Sequence, residues 1–156
     1  MQVEFALVVV DMQPIYLTRE DHVLIERVGL LIDKAIAAGQ PIVLLEYANK
    51  GRTCIELLHR LEGYALVRTK QKYGWGGADE TLQAFAEMGV TPGSVSVCGV
   101  YTEQCVAHTV SGLVYSLPRT VIDVLTAACL SIASAYDWSK FPVAGNVNLV
   151  AADVAI

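Results

Sequence analysis

The stretch Val95-Ser96-Val97-Cys98-Gly99-Val100-Tyr101-Thr102-Glu103-Gln104-Cys105-Val106 sets the reading of the chain. Its first half is an apolar run of strand length, and its second half begins a helical pattern in which Thr102 fits an N-cap and Cys105 falls at N3. Free backbone N–H groups and the positive end of the helix dipole favour an anion there, so a thiol at that point is a candidate nucleophile. A small buried hydrophobe is the alternative, because free cysteine is among the most buried residue types.

The same alternation runs outward in both directions. Strand-like runs fall at Phe5–Val10, Pro41–Glu46, Ala65–Arg68, Val95–Val100, Thr120–Leu125 and Val147–Ala151, with helical patterns at 20–38, 53–62, 79–88, 103–116 and 130–140. Thr18 with Asp21 and Thr53 with Glu56 fit capping boxes, and Gly39 and Gly89 fit positions just past helix ends. Strands that alternate with helices predict an α/β fold, one doubly wound domain over residues 1–156 with a parallel sheet covered on both faces.

Composition agrees and narrows the function classes. The 156 residues suffice for a core without disulfides or a structural metal. A hydrophobic fraction of 54% is high, yet no run approaches a membrane span, so strands buried on both faces or a large oligomer interface must absorb the excess. Phe5–Val10 is too short for a signal-peptide core and ends at Asp11, so a cytoplasmic location is expected. The net charge is −5 and the basic residues are scattered, which argues against nucleic acid or an anionic membrane as partner. Cys54, Cys98, Cys105 and Cys129 have no zinc-site or CxxC spacing, and no HExxH-like cluster exists, so neither a metal nor another cofactor is expected. Asp11-Met12-Gln13-Pro14 replaces the glycine-rich phosphate loop of a dinucleotide-binding domain.

In an open parallel sheet, chemistry gathers beyond the carboxyl ends of the strands. That rule selects Asp11, Glu46, Lys70 and Cys105. Asp11 can serve as a base for a thiol or as a turn cap. Lys70 can hold an acid and a thiol charged or can stand in solvent, and Lys72 competes with it. Gln13, Tyr16, Tyr73 and Trp75 are candidates to line a pocket or to pack a loop. His108 shares a helix face with Cys105 but points back along the helix, so it and the other histidines, His22 and His59, read as ordinary helix residues.

Taken together, Val9-Val10-Asp11-Met12-Gln13, Lys70-Gln71-Lys72-Tyr73 and Gly99-Val100-Tyr101-Thr102-Glu103-Gln104-Cys105-Val106 resemble the isochorismatase-like cysteine hydrolases, a family that includes nicotinamidases and carbamoylsarcosine amidases. The resemblance implies strand order 3-2-1-4-5-6, an Asp–Lys–Cys triad at Asp11, Lys70 and Cys105, a cis peptide bond at Val100–Tyr101, and an oxyanion hole from the backbone N–H groups of Tyr101 and Cys105. Zinc-binding members carry an Asp-x-His…His cluster after the second strand. Here that region reads Glu46-Tyr47-Ala48-Asn49-Lys50-Gly51, without histidine. Thr126 stands where many members have an acid, and Tyr73-Gly74-Trp75-Gly76 departs from the usual pocket segment.

The expected function is metal-independent cleavage of a small amide C–N bond through a thioester on Cys105. The expected substrate partner is a small molecule, and a homo-oligomer, dimer or larger, is expected. Vinyl ether hydrolysis of the isochorismatase type and a non-catalytic scaffold role are the alternatives. Cys105 counts against the first, and the complete triad against the second.

Overall fold

The computed structural model describes residues 1–133 and 135–151. Six strands, β1 (Gln2–Val10), β2 (Ile42–Tyr47), β3 (Val67–Lys72), β4 (Thr91–Val100), β5 (Val121–Leu130) and β6 (Val147–Val150), form one sheet in the order β3-β2-β1-β4-β5-β6. Every pairing is parallel. The helices are α1 (His22–Ala37), α2 (Ile55–Arg60), α3 (Ala78–Met88) and α4 (Ala107–Ser116). No helix among the described residues is long and apolar enough to cross a membrane.

Alternate residues of the central strands feed two separate cores. Ala6, Val8 and Val10 of β1 pack with Val95 and Val97 of β4 against Ala84 and Phe85 of α3 and Val110 and Leu113 of α4. Leu7 and Val9 pack with Ile42 and Leu44 of β2 against Val28, Leu31 and Ile32 of α1 and Leu57 of α2. A strand covered on both faces has no polar side, which is why Phe5–Val10 reads as a continuous apolar run and where much of the high hydrophobic fraction goes.

Several boundaries differ from the sequence reading, each for a local reason. β3 extends to Lys72 because it is an edge strand, where the polar run Arg68-Thr69-Lys70-Gln71-Lys72 can alternate between cover and solvent. No helix covers the described residues of 130–140. β5 runs through to Leu130 with an irregular register against β4, and only a short turn at Trp138–Lys140 follows, capped by Asp137. The capping box at Thr18 and Asp21 forms, and Gly39 and Gly89 both take φ 67° at helix ends. At α2 the expected box does not form, because Thr53 gives both its N–H and its hydroxyl to Glu46.

Gly99 is the closest constraint on the sheet. It sits at φ 123°, and a Cβ there would lie 2.2 Å from the Val10 carbonyl oxygen and 2.7 Å from its nitrogen. Only glycine lets β4 pass β1 at this point, next to Asp11 and six residues before Cys105. Gly99→Ala is expected to cost at least about 3 kcal/mol in thermal or urea denaturation, combining backbone strain with a clash against rigid backbone. Gly89→Ala, at φ 67° with open space around it, is expected to cost about 1 kcal/mol.

Candidate active site

Three strand ends converge beyond the middle of the sheet. Asp11 follows β1 directly in a left-handed conformation, φ 51°, with its N–H bonded to Leu45 O at 2.9 Å and its carbonyl accepting from the Gln13 N–H at 2.7 Å. Lys72 is the last residue of β3. Cys105 lies in a single wide helical turn, Thr102–Val106, between β4 and α4. The Val100–Tyr101 peptide bond that precedes this turn is cis, as the resemblance implies.

The lysine of this cluster is Lys72, and the assignment of Lys70 is corrected. The Lys72 ammonium lies 2.9 Å from Asp11 Oδ2 and donates to Cys105 Sγ at 3.2 Å and to Gly74 O at 2.8 Å. The Tyr47 ring covers it with its centroid at 4.6 Å. Its side chain is fully buried, as is that of Asp11. Lys70 points from the same face of β3 two residues earlier, which places it beside α3, where it pairs with Glu87 at 2.6 Å. Ending the third strand at Arg68 hid this difference, because it left both lysines in one loop.

Burial dominates the electrostatics. It raises the Asp11 carboxyl above its usual range, against the lowering effects of the Cys105 hydrogen bond and the Lys72 charge; Glu46 adds a smaller upward push. Burial also raises the Cys105 thiol to about 12, with the Asp11 hydrogen bond and charge acting in the same direction and Lys72 opposing. Burial and the neighbouring carboxylate thus oppose the thiolate that a helix start favours. The expected N-cap is also absent. Tyr101, not Thr102, precedes the turn and supplies no side-chain cap. Thr102 Oγ1 is instead buried without a hydrogen-bond partner.

Asp11, Tyr16, Tyr47, Lys50, Trp75, Val100, Tyr101, Gln104 and Cys105 line a cavity of about 260 Å³. Tyr16 and Trp75 are thus where the sequence reading put them. The others are not. Gln13 is buried as a strut, donating to Tyr47 O at 3.0 Å and Gly51 O at 2.7 Å and accepting from Tyr47 N. Glu46 is held by Thr53 and Gln71. Tyr73 is 83% exposed, outside the cavity. Tyr47, Lys50 and Gln104 were not singled out; Tyr47 and Lys50 sit in the segment after β2, where the carboxyl-end rule already pointed. His108 is exposed and stacks edge-on against Trp75 at 5.1 Å, outside the cavity.

Metal-ligating side chains are not gathered here. Among the described residues, no three of His, Cys, Asp and Glu cluster as a metal site. Glu46, the acid of β2 whose charge reaches Asp11, is committed to Thr53 and Gln71. This donor set does not fit a zinc ion.

Lys72→Met is expected to destabilise the fold by about 3–5 kcal/mol at neutral pH, because it strands a buried carboxylate, whereas Lys70→Met should cost less than about 1 kcal/mol. Without the ammonium, the folded-state pKa of Asp11 rises further, so its charged form is penalised only in the folded state. The Lys72→Met deficit should therefore be small near pH 4 and grow as pH rises, which denaturation at several pH values would show.

The chain matches the isochorismatase domain model over residues 5–116. No curated protein sequence matches it significantly. Among solved structures, N-carbamoylsarcosine amidase from Thermoplasma acidophilum is similar at 17% identity and TM-score 0.72, covering 97% of this chain and 98% of that one. An isochorismatase from Pseudomonas putida is similar at 18% identity and TM-score 0.71, covering 98% and 90%. Pyrazinamidase of Pyrococcus horikoshii in complex with zinc is similar at 21% identity and TM-score 0.66, covering 85% and 89%. With the domain match spanning most of its length, the chain belongs to the isochorismatase family.

Proposed function

We propose that the protein is a cysteine hydrolase that cleaves the C–N bond of a small amide through a thioester on Cys105, without a metal ion. The observation that carries this reading is one ammonium, Lys72, held within 2.9 Å of a buried carboxylate and 3.2 Å of a thiol at the wall of a small cavity. A thiol kept neutral by burial needs a base at the moment of attack. Asp11 is that base.

Cys105 gives its proton to Asp11 as sulfur adds to the amide carbonyl carbon. The oxygen of the tetrahedral adduct is received by the backbone N–H groups of Tyr101 and Cys105. Collapse breaks the C–N bond, and the amine leaves with the proton from Asp11. Water then attacks the thioester, returning a proton to Asp11, and collapse restores the Cys105 thiol and releases the acid. Lys72 stays charged throughout. It compensates the negative charge whether that charge sits on Asp11 or on sulfur, which lowers the cost of moving the proton inside a dry site.

Tyr16, Tyr47, Trp75 and Tyr101 form walls suited to a planar group next to the scissile carbonyl. With a cleaved amide, hydroxylamine added during turnover should divert part of the acyl group to a hydroxamate, and acid-quenched protein should be heavier by the acyl mass. Asp11→Asn and Cys105→Ala should each lower turnover by on the order of a thousandfold, and the double variant little further. Release of pyruvate from isochorismate at a rate unchanged in Cys105→Ala would overturn the reading in favour of vinyl ether hydrolysis.

A further inference from the structure

A second and larger hollow opens beside the catalytic cavity. It has a volume of about 780 Å³ and runs between the loop after β1, the start of α1 and the segment from Lys50 to α2. Lys50 belongs to the walls of both hollows, so the two are neighbours across one side chain.

The charges in this trough are unbalanced. Arg19, Lys50 and Arg52 line it against a single carboxylate, Glu56. None of the three cations has an ion-pair partner among the described residues. Elsewhere Arg60 pairs with Glu26 and Asp33, and Arg68 and Lys70 share Glu87. The catalytic cavity itself adds no compensating charge, because Asp11 and Lys72 neutralise one another. A chain of net charge −5 repels anions at long range, so a local concentration of unpaired cations at the mouth of its cavity is what would admit one. Ile15, Leu17, Ile25, Ile55 and Leu58 give the trough an apolar wall, and Thr18, His22 and Thr53 add polar groups.

We propose that the substrate is an amide carrying a carboxylate on an apolar arm, with the amide at Cys105 and the carboxylate in the trough over Lys50 and Arg52, within reach of Arg19. This rests on the amidase reading for the reacting end alone. Apolar contact along the arm and a cationic end together select a substrate longer than the catalytic cavity accommodates. Each exposed ion pair contributes modestly, so two or three together should give a preference of about fivefold to tenfold.

The test measures binding and turnover separately, using two matched pairs: terephthalamate with benzamide, and adipamate with hexanamide. Calorimetric titration of the Cys105→Ala protein should show tighter binding of the carboxylated member of at least one pair by about fivefold. The preference should shrink at about 0.5 M salt, where screening is short-ranged. Arg52→Met and Arg19→Met should each reduce the ratio, and the triple variant with Lys50→Met should abolish it. Equal affinity within both pairs, or a preference that survives in the triple variant, overturns the proposal. Wild-type turnover of the same compounds separates the two readings. Hydrolysis without preference for the carboxylate removes the trough assignment and leaves the amidase; a cation-dependent binding preference with no hydrolysis of either pair does the reverse.

Discussion

The fully buried ion pair between Lys72 and Asp11 is the interaction on which the site depends. Two charges withdrawn from water cost several kcal/mol each, and their attraction offsets this only when the remaining donors and acceptors are satisfied. Lys72 meets that condition with its bonds to Gly74 O and Cys105 Sγ and the face of Tyr47. Replacing the pair by apolar residues would serve stability at least as well. Under the proposed mechanism the pair has a use that apolar residues could not supply: a carboxylate exchanges a proton with a thiol without the net charge of the pocket changing.

Position follows from the sheet. β3, β1 and β4 end at nearly the same level, which brings a residue from an edge strand across to meet residues from the two central ones. The approach of β4 to Val10 at Gly99 sets the distance between the turn that holds Cys105 and the residue that follows β1. Gln13 and Glu46, although outside the cavity, fasten the segment from Tyr47 to Thr53 to the ends of β1 and β3. Buried polar residues near the cavity thus divide into those that line it and those that hold its walls.

The fold was legible because β1, β2, β4 and the caps at Thr18, Gly39 and Gly89 express short-range rules: apolar runs, left-handed glycines, a reciprocal cap. Strand order and the cis bond came from family resemblance, not from periodicity. The edge strand misled because its polar alternation looks like a loop, and that error passed directly into choosing Lys70 over Lys72. Residue type and strand end selected Asp11 and Cys105, which the structure brings together around Lys72. Which way Gln13, Glu46 and Tyr73 turn is decided by partners distant in sequence, such as Gly51 and Gln71, that no local pattern announces. The direction of the thiol's pKa shift was missed for a related reason. A helix start favours an anion, but burial beside a carboxylate outweighs it here.

The claim that Asp11 and Cys105 act as one proton-sharing unit is tested most directly by peptide-resolved alkylation rates of the four cysteines with iodoacetamide at neutral pH, in the wild type and in Asp11→Asn. Cys105 is the thiol that lines the cavity beside Asp11 and Lys72, whereas Cys98 is buried in the core and Cys54 lines the neighbouring trough away from both. The account predicts that Cys105 is labelled first in the wild type and that its rate rises by at least about tenfold in Asp11→Asn, where the carboxylate that raises its pKa is gone and Lys72 is left to stabilise the thiolate. An equal or lower Cys105 rate in Asp11→Asn, or earlier labelling of Cys54, Cys98 or Cys129, would contradict it.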